Sequence, residues 1–294
     1  MTRNLIAAFC TFAGGAVLAG LVLAQTSGAS FGSKQLSVTN IDPKHFNAHL
    51  VEGTFSFRGL PILHAALPEK HVTLDAARID GTIDTATKLL KTAKLTGGVK
   101  GTMESTSADG LNHTNFSGAT VNYTNMGNAS DQSADIEVFG GAEFGSTNET
   151  VARKLSLKGT HGIFKMRPII GSLDAQGNVL VGLANADLDG PVTIDFSGVM
   201  VAKDNSKKPP VTKKTPVSGT ATGGHLTVSR PESGTDYIIR MSGGVHLLET
   251  RGPNAGAQIT TTVVNLEFDA MGVLIKFWGE DEATTTVPIA QPAP

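Results

Sequence analysis

Few residues of this chain have the types and spacing that catalysis or metal binding requires. Gly28-Ala-Ser30-Phe-Gly32 matches the pattern of a nucleophile elbow, but it follows an apolar N-terminal run, with no strand before it and no helix after it. His45 and His49 are four residues apart and would share a helical face, yet no third ligand lies at a useful spacing. Aspartates and glutamates are scattered. We therefore predict no enzyme, no cofactor and no metal site.

Composition excludes other classes of function. The 294 residues carry a formal net charge of −2, with one tryptophan and two tyrosines, so the chain has neither the positive field nor the stacking side chains of a nucleic-acid binder. Cys10 is the only cysteine and lies in the apolar N-terminal run, which leaves no disulfide or thiol nucleophile for the rest of the chain. Thirty-four glycines and 17% charged residues are typical of many short strands and turns.

An apolar run from Leu5 to Ala24 follows the single charge of Arg3. It predicts a leader helix, and residues 1–24 are either a signal peptide or a membrane anchor. Small residues at Val22 and Ala24 suit cleavage, whereas the length of the run is also just enough to span a bilayer. Either way the rest of the chain leaves the cytoplasm. The first expectation is a bacterial periplasm, with anchoring in the inner membrane by residues 5–24 if the leader is retained.

Four segments have an apolar residue on every second position and a glycine in the middle of the row. Such alternation predicts strands with one face in a core, and glycine inside a strand is typical of a bulge, a bend or a close approach. A sheet bent at one level in successive strands becomes a folded trough. The segments are 93–103, 136–144, 173–183 and 239–247, and the glycines predicted to bend the sheet are Gly97, Gly140, Gly177 and Gly243.

A weaker alternating segment precedes each of these four. These segments run over 77–79, 119–123, 155–157 and 226–228, so the chain alternates a strand headed by a small residue with a strand notched by glycine. Asp174-Ala-Gln-Gly177 and Asp269-Ala-Met-Gly272 have the Asp and Gly positions of a type I turn. The first of these turns leaves open whether residues 169–184 form one strand or a hairpin. The pattern predicts an all-β fold, a folded antiparallel sheet of repeated strand pairs.

The repeated pairs resemble the OstA-like lipopolysaccharide-transport family, which comprises a periplasmic bridge protein and its inner-membrane partner. The resemblance rests on an exported leader and on three sets of residues: Leu74-Asp-Ala-Ala-Arg78-Ile-Asp80 followed by Leu95-Thr-Gly-Gly-Val99, Ala221-Thr-Gly-Gly-His-Leu-Thr-Val228 followed by Met241-Ser-Gly-Gly-Val245, and Gly177-Asn178-Val179. It implies a V-shaped β-jellyroll, or β-taco, whose interior shields the acyl chains of lipopolysaccharide. It also implies that modules stack through their sheet edges.

Five segments of the chain follow from this interpretation. After the leader, residues 34–202 form an OstA-like β-jellyroll, residues 203–216 a lysine- and proline-rich linker or loop, residues 217–279 C-terminal strands that continue or repeat the sheet, and residues 280–294 a disordered tail. An alternative for residues 203–216 is a patch that binds anionic headgroups.

The function expected from the resemblance is a periplasmic lipid-binding scaffold in the transport of lipopolysaccharide or a related glycolipid. Its partners would be the glycolipid and other transport components. The same alternation would also suit an ordinary filled core, and then the chain would be a structural or adhesive repeat protein of the cell envelope. The residues predicted to line the lipid trough are Leu95, Val99, Met103, Ile136, Val138, Phe144, Val179, Val181, Met241, Val245 and Leu247.

Overall fold

The computed structural model of the 294-residue chain describes most residues between Ala29 and Thr286. The described ranges are 29–32, 36–41, 44, 47–49, 51–67, 70–86, 90–107, 110–127, 133–148, 153–173, 179–204, 211–230, 237–253, 255–268, 274–280 and 284–286. The predicted leader, residues 1–24, lies outside them. Within these ranges no helix is long and apolar enough to cross a bilayer.

The described residues form an almost entirely antiparallel β structure without α-helix. Seven short strands come first: β1 (Ala29–Gly32), β2 (Leu36–Ile41), β3 (Asn47–His49), β4 (Thr54–Arg58), β5 (Ile62–Leu67), β6 (Lys70–Asp75) and β7 (Arg78–Ile83). Eight long strands follow: β8 (Leu90–Ser107), β9 (Gly110–Asn125), β10 (Ala134–Asn148), β11 (Arg153–Leu173), β12 (Val179–Asp204), β13 (Val211–Ser229), β14 (Tyr237–Arg251) and β15 (Gln258–Phe268). The last two are β16 (Leu274–Gly279) and β17 (Thr284–Thr286).

The eight long strands form a meander in which each pairs with the next along the chain. At one end of the meander the first part of β8 pairs with β7 and its second part with β6. At the other end β15 pairs with β16 through its last residues and with β17 through its first. The sheet therefore divides into two arms at both ends. We call the half that contains β7 and β16 wall 1, and the half that contains β6 and β17 wall 2.

The two walls meet along a line of bulges, which we call the crease. In each of β8, β10, β12 and β14 two residues stand against one residue of a neighbouring strand. Such a bulge bends the strand that carries it and increases its twist. The bulged pairs are Gly97-Gly98, Gly140-Gly141, Gly190-Pro191 and Gly243-Gly244. Because they lie at one level in alternate strands, the bends add into a single fold line.

The sheet covers its own apolar face. Inward side chains of both walls belong to one core, and several, such as Leu188 in wall 1 and Ile194 in wall 2, are fully buried. A flat single sheet leaves both faces in water, and no helical layer covers this one in the described residues. The walls therefore fold towards each other about the crease. The predicted all-β antiparallel class is confirmed.

The prediction of one continuous strand over residues 173–183 is wrong. β11 ends at Leu173 and β12 begins at Val179, and these two residues are paired across the strands. The segment thus belongs to the ends of two antiparallel strands, as the Asp174 turn pattern allowed. Gly177, predicted to bend the sheet, lies outside the described residues.

Residues 203–216 do not separate two sheets. β12 continues to Asp204 and β13 begins at Val211, and these two residues pair, as do Val199 and Pro216 farther along the ladder. One sheet therefore continues on both sides of residues 205–210, which lie outside the described residues. Lys203, Lys213, Lys214 and Pro216 belong to the paired strands.

The tail predicted to be disordered from residue 280 begins with ordered residues. Thr284–Thr286 forms β17 against β15, and Glu280 is hydrogen-bonded to Arg240 and Asn265. The prediction is wrong for these residues because they have partners on neighbouring strands, which composition does not reveal.

Candidate functional site

The residues predicted to line the trough point into the common core wherever their side chains are described. Exposure runs from 0% for Met241 and Val245 to 8% for Phe144. Those buried in the core are Leu95, Val99, Ile136, Val138, Phe144, Met241, Val245 and Leu247. Met103, Val179 and Val181 lie in β8 and β12, but their side chains are outside the described part of the structure.

The interior between these residues is closed. An open trough would leave inward side chains exposed to water, whereas Val99, Val245 and Ile194 have no more than 1% of their surface exposed. The two walls cover each other at this level, as the two sheets of a sandwich do. A hydrocarbon tail could enter this part of the core only if the walls moved apart.

The inward face of wall 2 becomes polar beyond the phenylalanines at 116 and 144. Thr114 on β9 pairs directly with Ser146 on β10, and both are buried, as is Asn148 two residues farther along β10. The hydroxyl oxygen of Thr114 has no hydrogen-bond partner among the described residues. The interior is therefore apolar beside the crease and becomes polar towards the ends of β9 and β10 in wall 2.

Three of the four predicted bending glycines lie at the crease. Gly97, Gly140 and Gly243 have φ values of 87°, 71° and 84°, a region that L-residues with a side chain rarely adopt. A Cβ on Gly97 would collide with the Cβ of Ala77, and one on Gly140 would lie 2.6 Å from the Cβ of Ala119. Ala77, directly before β7, and Ala119, in the middle of β9, are thus the contacts that require glycine.

Sequence reasoning missed the crease glycine of β12. Gly190 has a φ of 90°, and a Cβ there would collide with the side chain of Thr160 on β11. An alternating row was present in the sequence, with Ala186 and Leu188 before Gly190 and Val192 and Ile194 after it. Its second bulge residue is Pro191 instead of glycine, so it lacks the glycine doublet that marks the other three.

A row of polar side chains runs beside the crease on the outer face of wall 1. Cross-strand pairing places His161 on β11 opposite Asp189 on β12, and Asp189 opposite His225 on β13. Asp187 lies two residues from Asp189 on the same face of β12. The sequence did not single out these four residues, because the lone histidines and the Asp187-x-Asp189 pair meet only through the register of three strands.

The distances in this cluster are short. His225 Nδ1 lies 3.0 Å from an oxygen of Asp189, and His225 Nε2 lies 3.6 Å from an oxygen of Asp187. On the other side of Asp189, His161 Nδ1 lies 3.6 Å from its second oxygen. Hydrogen bonds from His225 and then from His161 hold the pKa of Asp189 below its usual range. We call His161, Asp187, Asp189 and His225 the outer cluster.

Neighbouring residues orient His161. Its Nε2 atom lies 3.1 Å from a carboxylate oxygen of Glu137 on β10, and its ring packs against that of Phe139, tilted by 34° at a centroid distance of 4.8 Å. With Nε2 held by Glu137, the other ring nitrogen faces Asp189.

The other candidate sites from the sequence do not assemble. Ser30 lies within β1 instead of at a strand-to-helix turn, and His49 ends β3 instead of sharing a helical face with His45, which is outside the described residues. Comparison with known proteins finds no matching family model, curated protein or solved structure.

Proposed function

We propose that this chain is an exported lipid-binding scaffold that acts in the transport of lipopolysaccharide or a related glycolipid, as its resemblance to the OstA-like family implies. In this proposal the creased sheet is a β-taco of repeated strand pairs. The observation that supports it most is the apolar interior beside the crease, which is enclosed by two walls that share strands and bend at a row of glycines.

Acyl chains would occupy the interior after the walls widen about the crease. Burial of each methylene contributes about 0.8 kcal/mol, so a tail of a dozen carbons gains roughly 10 kcal/mol on leaving water. The inward side chains exchange apolar contacts with each other for apolar contacts with the tail, so they are not transferred to water. The closed interior is then the resting state of the scaffold.

The proposal assigns the transport partners to the sheet edges. The edge strands β1, β3, β16 and β17 carry backbone groups that a partner strand can pair with. We place the protein in the periplasm, anchored in the inner membrane if residues 5–24 are retained, and we assign it no catalytic role.

Photocrosslinking tests the proposal. A photoreactive amino acid replaces Val138 or Met241, both buried in wall 1, in a Gram-negative host that exports the chain. Lys94, exposed on the outer side of the same wall, is the matched control. We expect glycolipid adducts, detected by mass spectrometry, at the two inner positions and none at Lys94. The proposal fails if the inner positions yield no adduct or if Lys94 yields as much as they do.

A structural or adhesive envelope protein is the second candidate. The observation that favours it is the near-zero exposure of inward residues such as Met241 and Leu188, which a permanently filled sandwich would also show. It predicts that native mass spectrometry of the purified exported part finds no bound lipid, and that incubation with lipopolysaccharide micelles adds none.

A further inference from the structure

We propose that the outer cluster is a binding site for a divalent transition-metal ion, with Asp187, Asp189 and His225 as ligands and His161 as a further donor. This site lies on the opposite face of wall 1 from the apolar interior and does not depend on lipid binding.

The ligand atoms are already close. One atom each from Asp187, Asp189 and His225 can be chosen so that all lie within 4.8 Å of one another. Metal–nitrogen and metal–oxygen bonds to zinc are about 2.0–2.2 Å, which places neighbouring ligands of a tetrahedral site roughly 3.3–3.5 Å apart. His225 can give only one ring nitrogen to a single ion, and its Nδ1 atom lies 3.0 Å from Asp189, close to that value. The Asp187 carboxylate, which lies 3.6 Å from the other ring nitrogen, would have to turn towards the ion to complete the set.

The strand register supplies the preorganisation. The ligands come from β12 and β13, and His161 and Asp189 are direct cross-strand partners, as are Asp189 and His225. Their Cα positions are set by backbone ladders on both sides, not by a loop. Asp189 and Asp187 remain about half exposed as side chains, at 59% and 49%, so an ion reaches them without any movement of the walls.

His161 has the environment of a metal-ligating histidine. Such residues commonly give their second ring nitrogen to a carboxylate, which sets the tautomer and the ring orientation. Glu137 holds Nε2 of His161 at 3.1 Å, while Nδ1 faces Asp189 at 3.6 Å. Two imidazoles together with carboxylates favour zinc, nickel or copper over calcium or magnesium, which prefer oxygen ligands alone.

Zinc titration of the untagged full chain tests the site. We expect isothermal titration calorimetry with ZnCl₂ to show saturable binding of one ion per chain. His225→Gln and Asp187→Asn should each weaken it at least tenfold, and His161→Gln roughly tenfold. The matched control is His113→Gln, since His113 lies on β9 in wall 2 beside Glu104, 3.3 Å away, and this change should leave the affinity unaltered. Far-UV circular dichroism checks that each variant is folded.

Broadening of imidazole resonances provides the second readout. Substoichiometric Ni²⁺ should broaden the ring signals of His225 and His161 before that of His113. The inference is overturned if zinc does not saturate a site, if folded His225→Gln binds as tightly as the wild type, or if His113→Gln weakens binding as much as His225→Gln does.

Discussion

Gly97 and Gly98 are neighbours in one bulge of β8, but they meet different surroundings. Both have positive φ values, 87° and 82°. A Cβ on Gly97 would collide with the Cβ of Ala77, whereas a Cβ on Gly98 would have no atom within 4 Å. The first glycine is therefore required by backbone conformation and by close approach, and the second by backbone conformation alone.

Alanine substitution separates these two requirements. We expect Gly98→Ala to lower the free energy of unfolding by about 1–2 kcal/mol, the cost of left-handed backbone for an L-residue. Gly97→Ala should lower it by about 2–5 kcal/mol, since overpacking adds about 1–3 kcal/mol. Urea-induced unfolding measures both values.

A double mutant tests the contact itself. Ala77→Gly removes the Cβ that Gly97→Ala would meet, so the pair should lose less stability than the sum of the two single changes. Equal losses for Gly97→Ala and Gly98→Ala would contradict this account of the crease.

At the scale of elements, the repeating unit is a small residue at the level of the crease followed by a strand with a bulge. The prediction that this residue heads its strand is wrong for β9, β11 and β13, because these strands cross the crease and extend into both walls. Ala77 precedes the bulge of β8, Ala119 that of β10, Thr160 that of β12 and Gly224 that of β14. Each unit contributes one bend, and pairing between units aligns the bends. This is why the sheet folds along a line instead of curving gradually.

The strand β16 is held to the sheet at its end by Glu280. Its carboxylate accepts hydrogen bonds from Arg240 on β14, at 2.8 and 3.1 Å, and from Asn265 on β15, at 2.9 Å. The Arg240 guanidinium first and Asn265 second lower the pKa of Glu280 from 4.5 to about 2. Because the folded-state pKa is below the unfolded value, Glu280 stabilises the fold fully above pH 4.5, and the contribution is lost as the pH falls towards 2.

Glu280→Gln should therefore destabilise the β16 end at pH 7, and the difference from the wild type should shrink between pH 4.5 and pH 2. Amide hydrogen exchange of β16 measures this difference. The exchange rate of the variant is divided by that of the wild type at each of a series of pH values. Glu52→Gln, in the exposed turn after β3, is the control and should show no such trend. A ratio that stays constant down to pH 2 would contradict the role of the carboxylate. High salt should also reduce the effect, because the pair is exposed to solvent.

At the scale of the whole molecule, a single sheet extends from the N-terminal arms to β17. The eight long strands cross the crease and belong to both walls, and the pairing of β12 with β13 continues to Asp204 and Val211, within the segment predicted to be a linker or loop. Neither wall can lose its structure without breaking strands that it shares with the other. We therefore expect the two walls to unfold together.

One cooperative transition follows from this connectivity. Trp278, the only tryptophan, lies in β16 and reports the C-terminal end, whereas far-UV circular dichroism reports all strands. We expect the two probes to give the same midpoint in urea. A separate midpoint for Trp278 fluorescence would instead support an independent C-terminal unit.

The sequence alone was sufficient for the strand class, for most inward rows and for three of the four crease glycines. Alternation with period two and glycine at the centre of a row are local signals, so Val138, Met241 and Gly243 could be identified without knowing which strands pair. The Asp174-Ala-Gln-Gly177 pattern also indicated a hairpin, and the structure has the ends of two paired strands where one strand was predicted over 173–183.

Only the tertiary structure decided the features that depend on register and on the distance between walls. Gly190, with Pro191 beside it, became a crease residue because pairing placed it level with Thr160 and Gly224. The outer cluster joins His161 and His225, 64 positions apart in the chain, because β11, β12 and β13 are aligned. The interior is closed because the inward side chains of the two walls contact each other. Alternation along a strand predicts which way a side chain points, but it does not predict how far away the opposite wall lies.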